Sequence, residues 1–260
     1  MTDMKIFAYK APAELLKDKI ILVTGAGDGL GRAAALAYAR HGATVLLLGR
    51  TEAKLEKVYD EITTSGAPEP VMFVLDLEKA DENDSNEVAN IIATEFGRLD
   101  GLLNNIGLFA PIVPLEHHSL ETWNRLLKVN LTSTFMLTRS CLPLLRAAPH
   151  ASLVFTSSTA GRMIRAYWGA YAIAKHGVET MMQIFHEELG TTSGIRVNSL
   201  NPGPCATALR RVGFPSEDPA RLPKPEELMP VYLFLMGDDS IGESGKQFEA
   251  QGQITLYEKD

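Results

Sequence analysis

Short runs of consecutive apolar residues alternate along the chain with longer stretches of helical pattern. Ile20-Ile21-Leu22-Val23, Thr44-Val45-Leu46-Leu47-Leu48 and Val71-Met72-Phe73-Val74-Leu75 are apolar at successive positions. Both faces of such strands want cover, as in a parallel sheet with helices on either side. The pattern predicts strands at 20–24, 43–49, 71–76, 100–104, 151–157, 194–200 and 246–250. It predicts helices at 30–41, 52–65, 83–97, 119–147, 168–190 and 225–236. Alternating strands and helices imply an α/β fold with a doubly wound, seven-stranded parallel sheet. Ligands in such sheets bind beyond the carboxyl ends of the strands. The chemistry-bearing residues all fall at or just after such ends.

The length of 260 residues fits a single domain, with a core over about 17–251 and residues 1–16 as an N-terminal extension. A net charge of −7 argues against a nucleic-acid surface and gives no attraction to anionic lipid. No apolar run is long enough to span a bilayer. Lys10, Glu14, Lys17, Asp18 and Lys19 interrupt the N-terminus where a signal core would lie. The two cysteines, Cys141 and Cys205, make no disulfide framework. A soluble cytoplasmic protein is the expectation. His117 and His118 lack a nearby Cys or third ligand, so no metal site is expected.

Thr24-Gly25-Ala26-Gly27-Asp28-Gly29-Leu30-Gly31 lies between the first predicted strand and the first predicted helix. Glycines there allow a tight turn and close approach of backbone to a pyrophosphate. The helix start adds free N–H groups and partial positive charge. A fold of this type that prefers NAD carries an acid at the end of the second strand. Here that strand ends Leu48-Gly49-Arg50. A guanidinium at Arg50 can pair with a 2′-phosphate, or it can be a solvated residue opening the next helix. The first reading makes NADP(H) the expected cofactor. Asp28 puts a carboxylate near the phosphates and keeps NAD as the alternative. Asp76-Leu77, ending the third strand, either faces an adenine amine or caps a helix. Asn104-Asn105-Ile106-Gly107, after the fourth strand, reads as cofactor contact or structural turn.

Tyr171 and Lys175 lie four apart in a helical stretch and so share a face. A free tyrosine has pKa about 10, and a nearby cation lowers it. Such a phenol suits proton exchange with an alcohol or carbonyl oxygen. The pair follows the strand Leu153-Val154-Phe155-Thr156-Ser157-Ser158. Ser158 either stabilises charge on a substrate oxygen or caps a turn. Asn130, within the predicted helix 119–147, is exposed, bonds backbone locally, or holds a water.

Together these elements resemble the short-chain dehydrogenase/reductases of about 250 residues, whose Rossmann-type fold would cover about 17–251. Thr24-Gly25, Gly29 and Gly31 are similar to that family's cofactor turn, and Asp76 to its adenine-contacting acid. Asn104 to Gly107 resembles its Asn-Asn-Ala-Gly element, with Ile106 in place of Ala. Asn130, Ser158, Tyr171 and Lys175 resemble its catalytic tetrad. Asn201-Pro202-Gly203, with Cys205 and Thr207 after it, resembles its nicotinamide-binding loop. Gly49-Arg50 is similar to its NADP-preferring branch. The segments 214–219 and 235–240 resemble a bacterial subgroup named after the YciK oxidoreductase.

The resemblance implies hydride transfer between NADP(H) and a carbonyl or secondary alcohol. Tyr171 would move the proton, Lys175 would lower its pKa and hold the nicotinamide ribose, Ser158 would orient the carbonyl, and Asn130 would keep a relay water. Gly27 departs from the family's usual Ser and is expected to loosen the turn. Leu108, Phe109, Ile112, Met163, Ile164, Tyr167, Trp168, Leu209 and Phe214 are expected around an apolar small-molecule substrate. Arg162 and Arg165 meet a substrate carboxylate or belong to a solvated loop. The family also implies a homo-oligomer, with 119–147 and 168–190 as contact faces. A non-catalytic NADP-binding sensor is the alternative function, and the complete tetrad disfavours it.

Overall fold

A computed structural model describes residues 8–190 and 193–252. Seven strands form one sheet: β1 (Ile20–Thr24), β2 (Thr44–Gly49), β3 (Val71–Val74), β4 (Gly101–Asn104), β5 (Ser152–Thr156), β6 (Arg196–Asn201) and β7 (Gln247–Glu249). Their order is β3-β2-β1-β4-β5-β6-β7, and every pairing is parallel. The order reverses between β1 and β4, where Leu22 sits between Leu46 and Leu102.

Side chains alternate along each strand, and both sets are buried. Ile21, Val23, Val45, Leu47, Leu103, Val154 and Leu200 enter one core. There they meet α1 (Gly29–Arg40), α2 (Glu52–Thr64) and α8 (Met229–Met236). Leu22, Leu46, Leu48, Leu102, Leu153, Phe155 and Val197 enter the other. That core is closed by α3 (Glu82–Phe96), α5 (Ser133–Ala147) and α6 (Gly169–Leu189). Two-sided burial is why the strand segments are unbroken apolar runs.

Local chemistry fixes the helix ends. Asp28 caps α1 by accepting from the Gly29 N–H, and Asp81 with Asp84 forms a capping box on α3. Gly97 ends α3 in the left-handed region (φ 72°), so it is the cap rather than the last helical residue. β3 stops two residues before the expected end. Leu75 N–H makes the last bond to the Gly49 carbonyl, and the Asp76 carbonyl then accepts from Lys79 and Ala80.

The expected single helix over 119–147 is three pieces. α4 (Leu120–Leu127) runs into a π-helical turn, Lys128–Thr132, and then α5. A short helix, α7 (Ala208–Gly213), was not expected; its six residues carry no apolar period. The segment before Lys17 packs on the core. Leu16 is fully buried, the Tyr9 ring meets Phe234 at 5.4 Å, and the Tyr9 hydroxyl donates to Asp239. Among the described residues no helix is long and apolar enough to cross a membrane.

Candidate active site

The turn after β1 is shaped by close backbone packing. Gly25 and Gly29 have φ of 69° and 52°. A Cβ on Gly31 would lie 2.2 Å from the Gly25 carbonyl oxygen. The cradle therefore closes only on glycine. Gly27 has a different reason: α2 packs so near that a Cβ there would meet Lys54 Cβ at 3.0 Å. Its departure from Ser follows from this close helix, not from a looser turn. Lys54 Nζ also pairs with the Asp28 carboxylate at 2.5 Å. That ammonium holds the Asp28 carboxyl below its usual range and offsets the charge it brings to the turn.

A cavity of about 790 Å³ opens beside this cradle, along the carboxyl ends of β1, β4, β5 and β6. Gly25, Gly27, Asp28, Gly29 and Leu30 form its floor, and Arg50, Lys54 and Asp76 flank one end. Gly107, Ser158, Tyr171 and Lys175 line the other, with Pro202, Gly203, Cys205 and Thr207 across from them. Three expected cofactor residues lie off this wall. Gly31 packs beneath Gly25. Leu77 is a core residue, 1% exposed. Asn104 is buried and donates to the Thr138 hydroxyl at 2.9 Å. Strand alternation turns Asn104 into the sheet and presents Asn105 instead. Thr24 ties the crossing together. Its hydroxyl accepts from the Asn105 and Ile106 N–H groups at 2.8 and 3.0 Å and donates to the Leu103 carbonyl.

Tyr171 and Lys175 occupy the first turns of α6 and are nearly fully buried. Burial raises the Tyr171 phenol above its ordinary value; a hydrogen bond with Ser158 and the charge of Arg210 pull it back in part. Burial lowers Lys175 from 10.5 to about 8, against the attraction of Glu179. The Lys175 ammonium donates to the Thr156 carbonyl at 2.7 Å. In this arrangement the Ser158 hydrogen bond and the Arg210 charge draw the phenol down against its burial. Ser158 meets both of its readings: its hydroxyl caps the turn Thr159–Gly161 by accepting from Ala160 N–H at 3.2 Å, and it faces the cavity.

Asn130 sits inside the π turn, and its side chain bonds backbone. The amide donates to the Leu108 and Leu126 carbonyls at 3.0 and 2.9 Å, and Oδ1 accepts from Leu108 N–H at 2.9 Å. The side chain staples the loop after β4 to α4. A π turn adds one residue to the helical ladder, a device frequent at functional sites.

The far wall is aromatic. Phe109 meets Tyr171 at 4.5 Å and Trp168 at 5.7 Å, and Trp168 meets Phe214 at 5.9 Å between ring centres. Leu108 and Leu209 join them. Ile112, Met163, Ile164 and Tyr167 do not line the cavity; Ile164 is 89% exposed. Arg165 does line it, but Arg162 is neither a substrate contact nor a solvated residue: its side chain is 15% exposed and paired with Glu179 and Glu249. Sequence reasoning missed Arg210, which lies 3.6 Å over the Phe214 ring and holds Glu217 through two bonds of 2.7 and 2.9 Å. It also missed Lys54, whose only signal was a cation four residues past Arg50. Cys205 is a packed residue, 3% exposed, its thiol pushed up to about 11 by burial. No group of His, Cys, Asp and Glu suited to a metal ion occurs among the described residues.

The glycine cradle, the start of α1 and the basic rim at Arg50 and Lys54 fit a dinucleotide with an extra phosphate. The chain belongs to the short chain dehydrogenase family, whose model matches residues 19–217. It is 47% identical to the uncharacterized oxidoreductase YciK of Escherichia coli K12 over 243 residues, which are 94% of this chain and 96% of that protein. It is also similar to a solved short chain dehydrogenase of Shigella flexneri complexed with NADP. That likeness has a TM-score of 0.90 and 46% identity, covering 92% of this chain and 100% of the other. A second, from Escherichia coli CFT073 and complexed with NADPH, has a TM-score of 0.90 and 48% identity, covering 92% and 99%. The expected likeness to YciK-type oxidoreductases is borne out.

Proposed function

We propose that the protein interconverts a carbonyl compound and a secondary alcohol with NADP(H). One observation carries this reading. Ser158, Tyr171 and Lys175 meet in one cavity with the Gly25–Gly29 turn and the Gly203 loop. Arg50, with Lys54 beside it, would hold the 2′-phosphate, and Asp76 the adenine side. Pro202, Gly203 and Thr207 would hold the nicotinamide end. The cofactor, when bound, supplies or accepts the hydride.

The chain's own residues handle the proton. Tyr171 is raised by burial, so its phenol is protonated at neutral pH and poised as an acid toward a carbonyl oxygen. Ser158 bonds the same oxygen and orients it. Lys175 places the cofactor ribose. Oxidation of the alcohol needs the phenolate, so its rate should rise with pH while reduction holds at neutral pH. Phe109, Trp168 and Phe214 favour a substrate with an apolar or ring-shaped body. A cytoplasmic homo-oligomer is part of the same reading.

The test is Tyr171→Phe assayed by NADPH oxidation against ketones, quinones and 3-oxoacyl thioesters. Turnover should fall by about 10²–10⁴-fold, the share of one positioned acid, with NADPH binding retained by fluorescence titration. Near wild-type turnover would overturn the role of Tyr171. A parallel comparison of NADPH with NADH tests Arg50, and an NADH preference would overturn that part.

A further inference from the structure

Behind the catalytic end of the cavity lies a second, largely buried group of charges. Arg162 follows the turn Thr159–Gly161 and bonds four partners. Nε donates to Glu179 at 2.8 Å, Nη2 to the Ser199 hydroxyl at 3.0 Å, and Nη1 to the Phe248 carbonyl at 3.2 Å and to the Glu249 carboxylate. Glu179 accepts on its other oxygen from Ser199 at 2.6 Å and Gln247 at 2.9 Å. Glu249 accepts from the Asn201 amide at 2.8 Å. That amide also reaches the Thr159 hydroxyl at 3.2 Å, and the Asn201 side-chain oxygen Oδ1 takes the Gly203 N–H at 3.0 Å. One chain of bonds therefore joins α6, the Ser158 turn, the β7 edge and the Gly203 loop.

Three ions held largely away from water, with Glu179 buried, are an expensive way to hold a loop. Apolar packing would do it more cheaply, so the charges call for a reason. The tally supplies one. Two carboxylates face one guanidinium, leaving one negative charge in excess. Lys175 lies one helical turn before Glu179 and carries the balancing positive charge.

We propose that Arg162, Glu179 and Glu249 are positioning residues: Glu179 keeps Lys175 charged, and the Arg162–Glu249–Asn201 arm holds the Ser158 turn in register with the Gly203 loop. The inference rests on the reading of Tyr171 and Lys175 as the working pair.

The other charges near Lys175 are committed elsewhere. The Arg210 charge acts on Tyr171. His176 bonds the Ala172 carbonyl, Lys128 of the π turn the Ala80 carbonyl, and Arg125 of α4 pairs with Glu78. On β6, Arg196 bonds the His150 and Gly237 carbonyls at the opposite end of the strand. β5 offers only hydroxyl and carbonyl groups there. Burial holds Lys175 near 8, and Glu179 opposes that fall. Removing Glu179 must then lower the Lys175 midpoint. Removing Arg162 leaves both carboxylates uncompensated and must raise it. Simple loosening would admit water and raise the midpoint in every variant.

The experiment is a pH titration of the full-length protein by NMR with lysine side chains labelled at Cε. The Lys175 signal is assigned by its absence in Lys175→Met. In Glu179→Gln the midpoint should fall by about one pH unit; in Glu249→Gln it should fall less, and in Arg162→Met it should rise. An unchanged or raised midpoint in Glu179→Gln overturns the proposal. If that variant does not fold, the same result in Glu249→Gln overturns it. NADPH oxidation with cyclohexanone, acetophenone and menadione is followed over the same pH range. A midpoint that moves as expected while the rate profile stays put supports the charge linkage and overturns the catalytic reading of Lys175.

Discussion

Lys175, in the role proposed for it, weakens the fold that carries it. It is 4% exposed and donates to the Thr156 backbone carbonyl. Its folded pKa of about 8 lies below the ordinary 10.5. Between those values the unfolded chain binds a proton that the folded chain does not, so stability should rise with pH through that window. The penalty is fully present below about pH 8. The fall corresponds to about 3 kcal/mol, and the bond to Thr156 returns about 1 kcal/mol. Lys175→Met should therefore be about 2 kcal/mol more stable at pH 7 while losing activity, a trade known for strained sites. Urea denaturation at pH 7 and pH 10 checks this: the gain should shrink at the higher pH. At this scale the sequence pattern singled out Tyr171, Lys175 and Ser158, which line one cavity, because spacing on one helix and position at a strand end are local properties. It did not locate Asn105 over Asn104, nor the pairing of Arg162. Those depend on which way a strand edge faces and on partners up to 87 positions away.

The elements tell a similar story. The strands were legible within two residues because both of their faces are apolar. The interruption of 119–147 was not, because a π turn keeps the helical course and adds only one residue to the ladder. Its reason lies across space, in the loop after β4 that Asn130 staples. α7 was silent for the opposite cause: it is held by its Thr207 cap and by Arg210, not by an apolar stripe. The glycine turn is where a single atom decides an element. In Gly31→Ala the added methyl would lie 2.2 Å from a backbone oxygen, and backbone cannot swing aside as a side chain can. Overpacking of this kind costs about 1–3 kcal/mol. The expected outcome is a stable fold, reduced in melting temperature, with NADPH affinity down at least tenfold by fluorescence titration. Unchanged affinity would mean that the turn is not the phosphate cradle.

At the scale of the whole molecule, the helices expected to meet a second copy expose a few apolar side chains. Ile173 and Ile184 are 44% and 51% exposed on α6, with Gly177 and Thr180 between them on the same side. Phe135 on α5 is 42% exposed. A second copy packed on α5 and α6 would cover these side chains. Light scattering should give a mass at least twice 28.4 kDa, and Ile184→Glu with Phe135→Glu should return it to the monomer value. A monomeric parent protein would rule the face out.

The strand order has a consequence in time as well as in space. β1 and β4 pair across about 80 intervening positions, as Ile21 with Gly101 shows. No neighbouring pair in this sheet can form as a hairpin, because all are parallel. Loop closure must therefore precede nearly every long-range reward, which makes such sheets slow to fold. The cavity straddles the crossing that joins the paired strands farthest apart in sequence, with Thr24 of β1 latched to Asn105 after β4. A chain with only its first half ordered owns the glycine turn and no pocket. Recovery of dinucleotide binding during refolding thus clocks the joining of the two halves, and mass action by the cofactor stabilises only the finished molecule.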